Sequence, residues 1–165
     1  MRLIIAATAV LAALPAAAQA HYADGGGLAP PPVRFPIDGP WEWGGPSTHF
    51  GDRGGAHDGE DVMSPCGTPL VAAAGGRVAV VDSDGAAGHH LVIRGEHGDH
   101  VYMHLERAPR VGVGDAVAAG QRIGTVGRSG NASACHLHFE VWTAPGWFRG
   151  GRARDPRPDL ERWAG

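Results

Sequence analysis

Lysine is missing from this chain; all fourteen of its strongly basic side chains are arginines. They form no basic block and the formal net charge is -3, which excludes a nucleic-acid footprint. Long apolar runs are nearly absent as well. The one such run, Leu3 to Ala18, is shorter than the ~20 residues a spanning helix needs, so no stable membrane anchor is expected. Sustained helical periodicity is lacking, apart from a short turn near Pro158–Trp163. Cysteine is limited to Cys66 and Cys135.

What is present begins with an address. Met1-Arg2, the apolar run and the small-x-small triplet Ala18-Gln19-Ala20 read as a secretory signal peptide over residues 1–20. No cysteine sits at the cleavage point, so a lipid anchor is not expected there. Loss of Arg2 takes the charge from -3 to -4. Residues 21–34 carry Gly25-Gly26-Gly27 and Pro30-Pro31-Pro32 and read as a flexible leader. Residues 35–165 are then the folded domain, and a chain of this size buries roughly 68–70% of its unfolded surface. Within it, residues 35–56, with Trp41 and Trp43, read as an irregular loop able to wall a groove.

From Thr68 onward, short runs rich in Val and Ile are broken by glycine. Strands are predicted at Pro69–Ala73, Arg77–Asp82, His89–Arg94, His100–His104, Arg122–Val126 and His136–Trp142. The fold class is mainly β: a compact antiparallel core with long groove-forming loops and little helix.

The residues able to do chemistry cluster in three places. On a strand, His136, His138 and Glu140 share one face, while Leu137, Phe139 and Val141 turn to the core. Two histidines ~6.6 Å apart along a strand divide naturally into one metal ligand and one neighbour. Glu140 is either the orienting partner of a ligand histidine or a solvated strand-edge charge. His57 and Asp61 share a face in extended chain, with Gly59 between them permitting close backbone approach. A His/Asp/His set with one position left over is the composition of an open zinc site. Tyr102 and His104 share a strand face opposite Val101 and Met103, and a histidine there suits a general base or an oxyanion donor. His89, His90, His97 and His100 border turns and are expected to be exposed, with His90 or His100 able to enter the groove. His49 is placed to rim the cleft.

Cys66 lies five residues after Asp61, and Cys135 three before His138. If both ligands hold one ion, the cysteines are neighbours too. Two readings stand: a disulfide suited to an exported protein, or free thiols, one of them near enough to bind zinc.

Together these pieces resemble the lysostaphin/LytM-type zinc metallopeptidases that cut peptide cross-links of bacterial cell walls. Phe50-Gly51-Asp52-Arg53, His57-Asp58-Gly59-Glu60-Asp61, Gly67-Thr68-Pro69-Leu70-Val71-Ala72, Tyr102-Met103-His104-Leu105, Gly124 to Gly130 and His136-Leu137-His138-Phe139-Glu140-Val141 follow that family's order. The resemblance implies one Zn2+ per chain on His57, Asp61 and His138, with His104 and His136 as the catalytic histidines. It implies the family's duplicated hybrid motif fold, a zinc-activated water attacking the scissile amide, and peptidoglycan peptides as substrate. Tyr102 is placed to add a hydrogen bond. The departures from that family's pattern are Glu60 where it is usually apolar, Cys135 where a proline is common, Cys66 where a non-cysteine is often found, and a short spacing between Arg53 and His57. The protein is then expected to be exported, periplasmic or extracellular, cell-wall associated and monomeric. Some members of this family have lost the ligands and regulate other wall hydrolases, which is the alternative function. The segment Val113 to Gln121 also resembles the turn of biotinyl and lipoyl carrier domains. Those carriers need a lysine to modify, so that reading is set aside.

Overall fold

The computed structural model describes residues 32–96 and 98–165. The expected signal peptide, most of the expected leader, and His97 lie outside them. Val33 and Arg34 already belong to the folded body. Val33 bridges Ala74, and the Arg34 N–H donates to the Ala73 carbonyl at 2.8 Å.

The glycine-broken Val and Ile runs become strands, because β-branched side chains pack well on a pleated surface. In chain order the elements are β1 (Glu42–Trp43), the four-residue turn α1 (Asp52–Gly55), β2 (Glu60–Met63), β3 (Pro69–Val71), β4 (Gly76–Asp84), β5 (Gly88–Gly95), β6 (Gly98–Leu105), β7 (Ala116–Val117), β8 (Arg122–Thr125), β9 (His136–Trp142), β10 (Ala153–Arg154) and α2 (Arg157–Ala164). The larger sheet runs β1-β2-β9-β6-β5-β4-β7, with β10 also paired to β9. Every pairing is antiparallel. A second sheet holds β3 and β8.

All six predicted strands are present, with β9 matching end to end. The short strands β1, β7 and β10 were not foreseen. Nor was β2 as a ladder member, because the metal motif's glycines masked its alternation. The predicted C-terminal turn is a full helix.

Leu91, Ile93, Tyr102, Leu137 and Phe139 from the large sheet form one core with Leu70 and Ile123 from the small one. Leu160 joins them from α2, and Trp163 packs its indole against Phe139 and His100. Burying each such side chain contributes roughly 1.5–3 kcal/mol, and this is what closes α2 over the sheet.

Register sets up the site. Asp61 on β2 lies opposite His138 on β9, and Met103 on β6 flanks His138 on the other side. The β5–β6 ladder then slips. Leu91 pairs with Tyr102 but His89 pairs with Leu105, so Met103 and His104 together face the single His90. Such a bulge re-aims the extra side chain. His104 takes up the kink with a left-handed φ of 63°. Strict alternation therefore fails here. Tyr102 does not share a face with His104; it is fully buried, and its hydroxyl accepts the Ala73 N–H at 2.8 Å. It is a core residue and contributes nothing to the cleft.

Candidate active site

His57, Asp61 and His138 converge as the sequence predicts, all three buried. His57 Nε2 lies 3.0 Å from Asp61 Oδ1 and 3.1 Å from His138 Nδ1, and His138 Nδ1 lies 2.7 Å from Asp61 Oδ1. A tetrahedron with metal–ligand bonds of ~2.0–2.1 Å has edges of roughly 3.3 Å. The three donors sit slightly inside that spacing, on one side of a common point. This donor set fits a zinc ion and leaves a fourth position toward the cleft.

Gly59 is what lets the two ligand strands approach. A Cβ there would lie 2.5 Å from the Phe139 carbonyl oxygen and 2.8 Å from His138 Nε2. The His-x-Gly-x-Asp motif needs glycine because the next strand's backbone and its ligand ring fill that space.

Each ring has a fixed proton. His57 Nδ1 faces the His49 carbonyl at 2.8 Å. A carbonyl only accepts, so this nitrogen carries the hydrogen and Nε2 is bare toward the metal position. His138 is turned round: its Nε2 donates to Glu140 Oε1 at 3.0 Å, leaving Nδ1 for the metal. Glu140 is itself held by the Trp142 indole N–H at 2.6 Å. Of the two readings of Glu140, the buried orienting partner is the one the structure displays. Asp61 turns Oδ1 to the histidines and receives Arg53 Nη2 on Oδ2 at 2.9 Å.

The charges respond accordingly. Burial alone would raise the Asp61 carboxyl pKa, but the bond from His138 and the neighbouring histidines hold it well below the usual carboxylate range. Burial would likewise lower His138, yet the Asp61 and Glu140 carboxylates outweigh it and bring that ring to about 9.

His104 and His136 stand beside this triad without belonging to it. Their rings are 4.7 Å apart, and His136 Nε2 is 3.6 Å from Asp61 Oδ1. His104 Nδ1 donates to the Ser129 carbonyl and His136 Nδ1 to the Ala134 carbonyl, each at 2.9 Å. Both rings therefore present a bare Nε2. Burial first, then like charge from its histidine neighbours, lowers His104 to about 4. Burial also lowers His136. Both are neutral at pH 7. The loop that supplies Ser129 is pressed against β5: Gly130 has a φ of 69°, and a Cβ there would lie 2.3 Å from the Gly88 nitrogen.

All five residues line one open cleft of about 570 Å³. Its lining also includes Ser47, Thr48 and Arg53, and Trp147 and Phe148. The 35–56 loop does wall the groove, but not through its tryptophans: Trp41 and Trp43 stack with Phe35 against the core. His49 does not rim the cleft; its side chain reaches Glu60 at 2.9 Å. His90 is buried against Trp147, contrary to the expected exposure. His100 is half-buried beneath Trp163 rather than in the groove. Arg53 was read only as part of the Phe50–Arg53 motif, its bond to Asp61 emerging from the fold, and Asp99 went unrecognised in the sequence. Asp99 is buried, takes a two-pronged contact from Arg94, and accepts the Trp147 N–H at 2.9 Å, fixing the aromatic wall.

Cys66 and Cys135 are joined, with Cα atoms 5.3 Å apart and a separation of 69 positions in sequence. The free-thiol reading is thereby removed, and the segments behind β2 and β9 are tied.

Comparison with known proteins agrees with this geometry. Residues 55–156 match the sequence model of Peptidase family M23. Peptidoglycan DD-endopeptidase ShyA of Vibrio cholerae is 33% identical over 119 residues, 66% of this chain and 26% of its own. Glycyl-glycine endopeptidase ALE-1 of Staphylococcus capitis is 37% identical over 115 residues, 68% of this chain and 31% of its own. The chain thus spans about a quarter to a third of the length of these relatives. The catalytic domain of the antimicrobial peptidase lysostaphin from Staphylococcus simulans is similar in structure, with a TM-score of 0.61 at 32% identity over 74% of this chain and 92% of that one. The matched span takes in His57, Asp61, His104, His136 and His138, and with them the whole donor set and its histidine neighbours: the chain belongs to peptidase family M23.

Proposed function

We propose that this protein is an exported, zinc-dependent endopeptidase that hydrolyses peptide cross-links of bacterial peptidoglycan. One observation carries the reading. Two neutral imidazoles with bare Nε2 atoms, His104 and His136, stand in an open cleft beside a donor set fitted for zinc. A regulator that merely binds wall has no use for that pair.

Bound by His57, Asp61 and His138, a zinc ion would supply Lewis acidity, lowering the pKa of a coordinated water and polarising the scissile carbonyl. The chain's own groups do the rest. His104 and His136 have the protonation state required of a base near pH 7, and either Nε2 can take a proton from the attacking water. Once protonated, the same nitrogen can donate to the developing oxyanion or to the leaving amine. Asp61, hydrogen-bonded by Arg53, keeps a single oxygen toward the metal position. Trp147 and Phe148 shield one side of the cleft and offer apolar surface to the peptide.

Support for the substrate class comes from the relatives, named for peptidoglycan DD-endopeptidase and glycyl-glycine endopeptidase activities. Those names describe different bonds, so the bond cut here is to be found by experiment. Among the described residues no helix is long and apolar enough to cross a membrane. Export rests on the signal-like residues 1–20 and agrees with the disulfide.

The test is digestion of cell-wall sacculi by purified protein, with mass spectrometry of the released fragments. Wild type should release peptide fragments that show which bond is cut. His136→Ala and His104→Ala should each lose ~10²–10⁴-fold in rate while keeping one zinc per chain. Zinc-loaded wild type that releases nothing from varied sacculi would favour the regulatory alternative.

A further inference from the structure

Glu60 lies inside the His57–Asp61 motif and is fully buried. Its Oε1 accepts from Arg157 Nη1 at 2.8 Å and from His49 Nδ1 at 2.9 Å, while its Oε2 has no partner among the described residues. As a stabiliser this is a poor arrangement. Desolvating an ion pair commonly costs as much as its attraction returns, and an orphaned oxygen adds to the cost. A leucine would serve the core better.

The contacts lead toward the metal site. The His49 carbonyl holds the His57 Nδ1–H, and the preceding Thr48 carbonyl accepts the Asp61 N–H at 2.9 Å. Two successive carbonyls, those of Thr48 and His49, therefore touch both upstream ligands. His49, the residue between those carbonyls, is pinned by its N–H on Asp52 and by its ring on Glu60. Glu60 is in turn held by Arg157, the first residue of α2, far along the chain. Arg157 is itself immobilised: its guanidinium stacks 3.6 Å over the Trp43 ring, and its Nε donates to Glu161 at 2.8 Å.

We propose that Glu60 and Arg157 are positioning residues for the metal site, and that α2 braces ligand His57 through the relay Arg157–Glu60–His49. The relay acts by holding the His49 carbonyl where it fixes the tautomer and tilt of the His57 ring. This inference rests on the zinc-site reading above and adds the C-terminal helix to that site's support.

The experiment measures zinc dissociation constants by chelator competition on the full chain, alongside thermal unfolding of the metal-free protein. In Glu60→Leu/Arg157→Met both members of the ion pair are removed together, so the metal-free Tm should hold or rise. Its zinc affinity should nevertheless fall ~10–100-fold, the usual effect of removing an orienting partner. His49→Ala keeps the carbonyl but cuts the relay at an exposed side chain. It should weaken zinc in the same direction at an unchanged Tm, and it decides the matter if the double variant does not fold. Arg157→Lys, which keeps the charge but not the stacked fork, should lie between wild type and the double variant. Wild-type zinc affinity in both the double variant and His49→Ala would overturn the relay while leaving the metal site intact. Failure of the wild type itself to bind zinc would overturn the site and the relay together.

Discussion

Replacing Gly59 by alanine adds one methyl group at the tightest point between the two ligand strands. The new Cβ would sit 2.5 Å from the Phe139 carbonyl oxygen and 2.8 and 2.9 Å from Nε2 and Cε1 of His138. Gly59 lies outside the left-handed region, so the penalty is steric. The carbonyl cannot retreat, because β9 is held between β2 and β6 in the middle of the sheet. What can move is the His138 ring, and turning it breaks the bond to Glu140 and withdraws Nδ1 from the donor triangle. Overpacking of this kind costs about 1–3 kcal/mol. Taken wholly by the ring's displacement, that is about 5–150-fold in zinc affinity, at a tenfold change per 1.4 kcal/mol. Taken wholly by the fold, it is a Tm lower by roughly 3–12 °C for a domain of this size. Chelator competition and thermal melts of the same samples measure the split. Gly45→Ala is the control, since nothing lies within 4 Å of its would-be Cβ. If Gly59→Ala binds zinc and melts like Gly45→Ala, the close approach of the strands is not what the motif's glycine serves.

Three further outcomes follow from the site. His104 is held at about 4 in the fold, by burial and then by its histidine neighbours, against 6.5 when unfolded. Between those values the unfolded chain binds a proton that the folded one refuses, so stability declines as pH falls through that window. Urea unfolding of the chelated protein should show wild type losing more stability between pH 6.5 and 4 than His104→Gln; equal losses refute the burial of a neutral ring. Removing the Cys66–Cys135 bond by a Cys66→Ala/Cys135→Ala variant should cost ~4 kcal/mol in the chain-entropy account, read from denaturant midpoints. Phe148 is 80% exposed at the cleft wall. Phe148→Ala should change stability by less than about 0.5 kcal/mol yet raise KM for wall fragments, and an unchanged KM would remove that ring from substrate binding.

The long strands were legible because their signal is local. Alternation in His136–Trp142 and β-branched runs in β4 and β5 announce themselves within eight residues or so, and glycine marks their ends. The short strands β1, β7 and β10 carry two residues each and acquire strand geometry only from a neighbour, so nothing in their own sequence could declare them. The Tyr102 misplacement has a different cause. Counting by twos along β6 assumes an unbroken ladder, and the bulge opposite His90 inserts a residue that only the pairing partner reveals. His104 reaches the cleft because of that irregularity, which is why no period could have predicted its direction.

The convergence of His57, Asp61 and His138 was visible because metal chemistry restricts which side chains could serve, and their spacing on two strands is a pattern of residue types. Their orientation was not, since it is supplied largely by main chain. His57, His104 and His136 each give a ring proton to a carbonyl, those of His49, Ser129 and Ala134. Any residue type could provide such an acceptor. Glu140 is the exception, a side-chain partner two positions from its ligand, and it alone was open to inference from the strand period. The same logic separates Glu60 from Glu140. Both are buried acids beside the donor set, but Glu60 acts through His49 and is answered by an arginine nearly a hundred positions away, so its reason for being there emerges only once α2 has folded over the sheet.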